Sequence, residues 1–288
     1  MISMRWVSYP RGLRWLAVVA AVLAACCGAG AFPSAVLASS SLDWTKQAPA
    51  TRPPALVQAA MAYDGATGTA VLFGCHILRG VGTWTWDGST WTEQAPATSP
   101  PARDETAMAY DAATSTIVMF GGGAGINGSL DDTWTWNGSN WTKQAPATHP
   151  PALTRPSMAY DAATGTVVLF GGAYSNGTYS NNTWTWDGST WTKQAPATHP
   201  PARYAASMAY DAATSTVVLF GGVNSHGLFG DTWTWDGSAW TKQAPATHPP
   251  ARQLAPMAYD AATGTAVLFG GYNSASTGRW TNDTWTWG

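Results

Sequence analysis

The chain has 288 residues, of which only 10% are charged, and its formal net charge is −2. Eighteen Trp in a 45% hydrophobic composition exclude a disordered, highly charged protein. There is no basic run, and without Arg5, Arg11 and Arg14 only 11 basic residues face 16 acidic ones, so nucleic acid is excluded as a partner.

Residues 1–38 read as a secretory leader. Three arginines precede an apolar run from Trp15 to Cys27, and Val36-Leu37-Ala38 offers a cleavage site before Ser39. The stretch Leu23-Ala24-Ala25-Cys26 resembles the lipobox of bacterial lipoproteins, in which the Cys carries lipid. Lipid anchoring at Cys26, plain secretion and an uncleaved anchor therefore all stand, although the apolar run is short for a span of ~20 residues. The expected location is outside a bacterial cell or on its surface, and the only membrane contact expected is that anchor. Cys75 stands alone after the leader, so no disulfide closes within the body of the chain, and it reads as a small buried residue.

From about residue 42 onward one unit recurs five times, which makes residues 39–288 a single repeat domain. Met-Ala-Tyr-Asp begins at Met61, Met108, Met158, Met208 and Met257, and Trp-Thr-Trp begins at Trp84, Trp134, Trp184, Trp233 and Trp285. A further Trp follows the same rhythm at Trp44, Trp91, Trp141, Trp191 and Trp240. In the third copy, Ser157 to Asp161 predicts a strand, and Ala162-Ala163-Thr164-Gly165 predicts a hairpin turn. The β-branched run Thr166 to Phe170 predicts a second strand, ended by Gly171-Gly172. Thr183 to Trp186 alternates with the period of a strand, Asp187-Gly188 turns it, and Thr190 to Lys193 predicts a fourth. A Pro-rich linker then leads to the next copy. Four short antiparallel strands per repeat and no helical pattern predict an all-β propeller of five four-stranded blades.

The unit resembles a kelch repeat, as in the central domain of galactose oxidase. The likeness rests on an apolar strand ending in Gly-Gly, an Asn/Asp-Thr-Trp strand and a Trp on the outer strand. The glycine pair stands at Gly121, Gly171, Gly221 and Gly270, and the first copy departs from it with Gly74-Cys75. The resemblance implies the propeller fold but leaves function open, since kelch propellers include binding modules and enzymes. The first copy is preceded by an orphan outer strand, Leu42 to Gln47, and the last copy stops after its third strand at Trp287-Gly288. The expectation is a ring closed by Leu42–Gln47, which completes the fifth blade and covers an otherwise bare sheet edge.

The repeated Trp and Tyr are expected to pack between blades, each Trp ring burying about 200 Å². His149, His199 and His248 occupy equivalent linker positions that a ring holds far apart, so no metal and no cofactor are expected. Spacing is constant except between the Phe before the glycines and the Trp triplet, which measures 11, 14, 14, 13 and 16 residues. Substitutions gather there and on the approach to the first strand, as in Asp104-Glu105, Leu153-Thr154-Arg155 and Arg203-Tyr204. In a meander blade those two connections emerge at one end. Past the leader, every aromatic residue outside the repeated positions falls in them: Tyr174, Tyr179, Tyr204, Phe229, Tyr272 and Trp280. Arg79, His76, His226 and Arg279 join these rings, and the set suits stacking on sugars or anchoring a protein.

Catalysis finds less support. Adjacent Asp104 and Glu105 would point in opposite directions on a strand, and no Ser-His-Asp signature or phosphate loop occurs. The expected function is non-catalytic binding of a glycan or an extracellular protein by a monomer, with a carbohydrate-active enzyme as the alternative.

Overall fold

The computed structural model describes residues 47–76, 80–125, 128–273 and 279–288. The leader with Cys26, Arg79 and the expected closing strand except for Gln47 lie outside them. The described residues form a five-bladed β-propeller. Blade 1 comprises β1 (Val57–Asp64), β2 (Thr69–His76), β3 (Gly80–Trp86) and β4 (Trp91–Gln94). Blade 2 comprises β5 (Ala107–Asp111), β6 (Thr116–Phe120), β7 (Thr133–Trp136) and β8 (Trp141–Lys143). Blade 3 comprises β9 (Ser157–Asp161), β10 (Thr166–Phe170), β11 (Thr183–Trp186) and β12 (Trp191–Gln194). In blade 4, β13 (Ser207–Asp211) and β14 (Thr216–Phe220) precede a small hairpin of β15 (Val223–Asn224) and β16 (Gly227–Leu228). Its sheet ends with β17 (Thr232–Trp235) and β18 (Trp240–Gln243). Blade 5 has three strands among the described residues, β19 (Met257–Asp260), β20 (Thr265–Asn273) and β21 (Arg279–Trp287). Each blade is an antiparallel meander in chain order.

Two side-chain devices set the turns. The Asp that ends each first strand accepts the N–H two residues on: Ala66, Ala113, Ala163, Ala213 and Ala262 donate at 2.9–3.0 Å. The carboxylate thereby reinforces the backbone turn bonds that Gly68, Gly165 and Gly264 donate to the carbonyls of Asp64, Asp161 and Asp260. In the outer hairpin, Asp87 Oδ1 accepts the N–H groups of Ser89 and Thr90, both at 2.8 Å. Asn137, Asp187 and Asp236 repeat the arrangement. Asn137-Gly138-Ser139 is thereby a turn.

The core lies between blades, where one face of each blade meets the opposite face of the next. Val168 and Phe170 of blade 3, for example, pack on Val217, Leu219, Trp235 and Trp240 of blade 4. Trp136, Trp141, Trp186, Trp191, Trp235 and Trp240 are almost fully buried, as expected of the repeated rings. At the two ends of the blade series the corresponding faces are open. Tyr63 is 63% and Phe269 41% exposed, against 0–3% for Phe73, Phe120, Phe170 and Phe220.

Three blades carry an ion pair beneath the linker. Arg103, Arg203 and Arg252, buried, each hold a carboxylate with both terminal nitrogens, those of Asp132, Asp231 and Asp283. The same Nη1 also donates to the carbonyl of Gly121, Gly221 or Gly270. Each Asp accepts from the first Trp of its triplet as well, Trp134, Trp233 or Trp285. Burial raises the Asp231 carboxyl, but the hydrogen bonds and charge of Arg203 outweigh it, and the net shift is downward. Blade 3 replaces the pair with Leu153 and Asn182, and there the Trp184 indole N–H is buried with no partner.

Arg203→Leu alone should cost about 3–5 kcal/mol in urea unfolding, because it strands a mostly buried carboxylate. Adding Asp231→Asn, which copies blade 3, should recover most of that loss. Because the Asp231 carboxyl is lowered on folding, the pair's contribution is present above pH ~4 and lost as pH falls further. The double variant should therefore show a shallower loss of stability in acid than the parent.

Candidate binding face

The two variable connections are tied together at one end of the propeller. On the approach to the first strand, Asp104, Thr154, Tyr204 and Gln253 bridge to Gly123, Ala173, Val223 and Tyr272, which follow the glycine pairs. At the other end lie the uniform hairpins. There Gly138, Gly188 and Gly237 press so closely on Thr67, Thr114 and Thr164 of the preceding blade that a Cβ would clash. One end is thus set by blade-to-blade contact, and the other is free to vary.

The glycine pairs shape the variable end. Gly121, Gly171 and Gly221 have φ of +65° to +74°. A Cβ on any of them would lie 2.4–2.6 Å from the linker carbonyl of the next blade. The second glycine donates its N–H to that same carbonyl at 2.8–2.9 Å. The pair therefore breaks the β2-type strand and ties its loop to the following blade. In blade 1, where Cys75 replaces the second glycine, the ladder simply continues to His76↔Gly80.

Nearer the axis, Gln58, Glu105, Arg155, Ala205 and Leu254 all adopt a left-handed backbone, with φ between +47° and +56°. None is glycine, and such conformations cost on the order of 1–3 kcal/mol each. A chain of hydrogen bonds holds them. The N–H groups of Glu105, Arg155, Ala205 and Leu254 donate to Gln58, Glu105, Arg155 and Ala205 respectively, at 2.8–3.4 Å. The backbone repeats while the side chains differ, around a cleft of about 590 Å³, open solvent included. This also revises the expectation for Asp104 and Glu105. They do not alternate on a strand: Asp104 bridges to Gly123, and Glu105 turns left-handed before β5.

Glu105 and Arg155 face each other across this cleft in an ion pair of 2.5 Å. The Arg155 guanidinium also lies 5.9 Å from the centre of the Tyr204 ring, and Tyr204 stacks on Tyr179 at 5.2 Å and 13°. Burial, and then the charge of Glu105, push the neighbouring Asp104 carboxyl up, with Arg155 opposing. Blades 2, 3 and 4 thereby contribute to one cluster of two rings, a cation and two carboxyls.

The other predicted site residues fall into three groups. Tyr272 on β20 and Trp280 on β21 meet edge to face at 5.7 Å, with Trp280 68% exposed. Arg279 pairs with Asn273 through the same ladder, and His76 ends β2. His226 is exposed at the turn of the small hairpin, where its N–H donates to Asn224. Phe229 and Tyr174 serve packing. The Phe229 ring caps the Arg203 guanidinium at 3.8 Å, and Tyr174 leans on the core between blades 2 and 3. The linker histidines hold the next Pro carbonyl near Nδ1, at 2.9–3.0 Å. Among the described residues no three His, Cys, Asp or Glu gather as a metal site.

Sequence reasoning assigned no role to Gln58, Glu105, Arg155 or Leu254. The signal available was the set of substitutions just before the first strand, but the left-handed backbone had no glycine to announce it. The Arg–Asp pairs were likewise passed over. Pro-Ala-Arg in the linker and Asp or Asn-Asp before Thr-Trp-Thr-Trp occur in the same three copies, and that co-occurrence was the clue.

No protein-family model matches this chain, and no curated protein matches it.

Gly221→Ala should destabilise by about 2–4 kcal/mol, combining the cost of φ +70° with the clash against the Arg252 carbonyl. Gly177→Ala, at φ +80° with nothing within 4 Å, isolates the backbone cost and should lose about 1–2 kcal/mol. Equal losses in thermal unfolding would contradict the close approach.

Proposed function

We propose that the chain is a secreted, kelch-like, non-catalytic binding module that takes a glycan on the variable end of the propeller. The carrying observation is the cluster of Glu105, Arg155, Tyr179 and Tyr204 beside the axial cleft. A sugar offers an apolar ring face and a rim of hydroxyls. The exposed parts of the tyrosine rings suit the first, and a charged pair with both donors and acceptors suits the second. Glu105 is held by Arg155, an arrangement that favours recognition of hydroxyls over proton transfer. The five left-handed positions support the reading further, because strained backbone of this kind collects at functional sites. Lipid anchoring at Cys26 or release into the medium would both present this face outside the cell.

A second reading, a protein partner, draws on Trp280. It is a large exposed ring braced by Tyr272, in the manner of an interface anchor.

A glycan array with the parent chain, Tyr204→Ala and Trp280→Ala separates the two. The glycan reading expects binding that falls roughly tenfold in Tyr204→Ala, the loss of a ring contact and a cation–π pair. No glycan bound by the parent, together with a protein captured through Trp280, would overturn it.

A further inference from the structure

Asp104 departs from the pattern of the other aspartates in blades 2–4. Those at repeated positions each hold a turn N–H or an arginine, as Asp111 and Asp132 do. Asp104 spends its backbone N–H and C=O on the bridge to Gly123, at 3.0 and 2.8 Å. Its carboxylate accepts a hydrogen bond from no other residue among the described ones. The side chain is half-buried, so it has lost water without gaining a donor.

The residue across the bridge makes room for it. In blades 3, 4 and 5 the equivalent bridged residue carries a side chain, Ala173, Val223 or Tyr272, and only in blade 2 is it glycine. Gly123 is not left-handed, so what glycine supplies there is space. A Cβ on it would lie 2.8 Å from Asp104 Oδ1 and 3.7 Å from Thr154 Cγ2. The carboxylate therefore sits in a notch between blades 2 and 3, beside the residue that precedes Arg155.

The charges around this notch do not balance. Glu105 follows Asp104, and Arg155 meets it through one nitrogen and one oxygen, Nη2 and Oε1. Arg103 and Arg203 are buried and engaged with Asp132 and Asp231. One guanidinium thus serves two carboxylates, and one negative charge is left over beside the stacked rings of Tyr179 and Tyr204. The upward push on the Asp104 carboxyl, from burial and then from Glu105, is what an unmatched acid pair produces. Aromatic faces and carboxylates both attract a cation, and an anionic group would meet repulsion.

We infer that the ligand of this face is an amino sugar with its amine free, whose ammonium is held by Asp104 and Glu105 while the sugar ring packs against the tyrosines. The inference rests on the glycan reading above and narrows it. An N-acylated sugar lacks the charge, and a uronic acid or sulfated sugar carries the wrong one.

Titration calorimetry on the full chain compares a glucosamine oligomer with its fully N-acetylated counterpart, which has the same backbone and no charge. The glucosamine oligomer should bind roughly tenfold more tightly, and the preference should fall to about parity in Asp104→Asn. That variant should unfold at the parent's temperature, since the carboxylate accepts from no other described residue. Asp131→Asn removes the same charge from an exposed carboxylate in the outer groove of blade 2 and should leave the preference intact. Equal binding of the two oligomers, tighter binding of the acetylated one, or equal losses in the two Asn variants overturns the inference and leaves the glycan reading standing. Binding of neither oligomer, with other glycans retained on the array, does the same. Binding of neither with an empty array overturns both.

Discussion

The tryptophan wedge between blades is the constraint on which the rest of the structure depends. A four-stranded blade of Thr, Val, Ala and Gly has little apolar bulk of its own, and an isolated small sheet is marginal in water. Trp141, Trp191 and Trp240 supply that bulk and spend it on the preceding blade. The edge of each meets that blade's Phe, and its N–H donates to a buried threonine hydroxyl. The bond fixes the depth and angle at which the indole enters, so it sets the spacing of the blades as well as their adhesion. Stability in such an array is a sum of like interfaces, each contacting only its neighbours.

This division of labour explains why one end of the molecule is uniform and the other is not. The Asp-capped hairpins lock blade to blade, with Gly188 pressed on Thr114, so insertions there would part the wedges. At the opposite end the glycine pair hands the chain to the next blade's linker and then leaves the loop without further duty. The same handover orders the left-handed residues around the axis. Their backbone is tied to the equivalent residue of the blade to either side, while their side chains range from buried Ala205 through the half-buried pair of Glu105 and Arg155 to exposed Leu254. Glu105, Arg155 and Leu254 thus occupy equal positions with unrelated chemistry, the condition under which a repeat fold can acquire an asymmetric site.

Much of the architecture was legible in the sequence because it is written there repeatedly. The fixed 12-residue step from Met to Phe and the alternation in Thr-Trp-Thr-Trp specify strands, turns and the blade count without reference to any single residue. The end at which variation collects followed from strand parity alone. The candidate site was less legible because its key feature is backbone conformation at residues that do not advertise it. Arg155 reads as one substitution among several until its neighbours, 50 residues away in each direction, are brought beside it. Phe229 shows the opposite failure: an aromatic residue outside the repeat pattern looked free to bind, yet it shields a guanidinium. The Leu153–Asn182 exchange for Arg and Asp was visible as two separate substitutions but had meaning only once both were placed under one linker.

The most direct test of the wedge is a double-mutant cycle on Trp240→Phe and Thr183→Val, read by denaturant unfolding. The two residues are 57 apart in sequence and meet only across the interface of blades 3 and 4. A coupling energy of about 1 kcal/mol is expected, since each single change strands one buried polar group and the pair strands none. Strictly additive losses would mean that the indole is held by bulk alone and that the hydroxyl sets nothing.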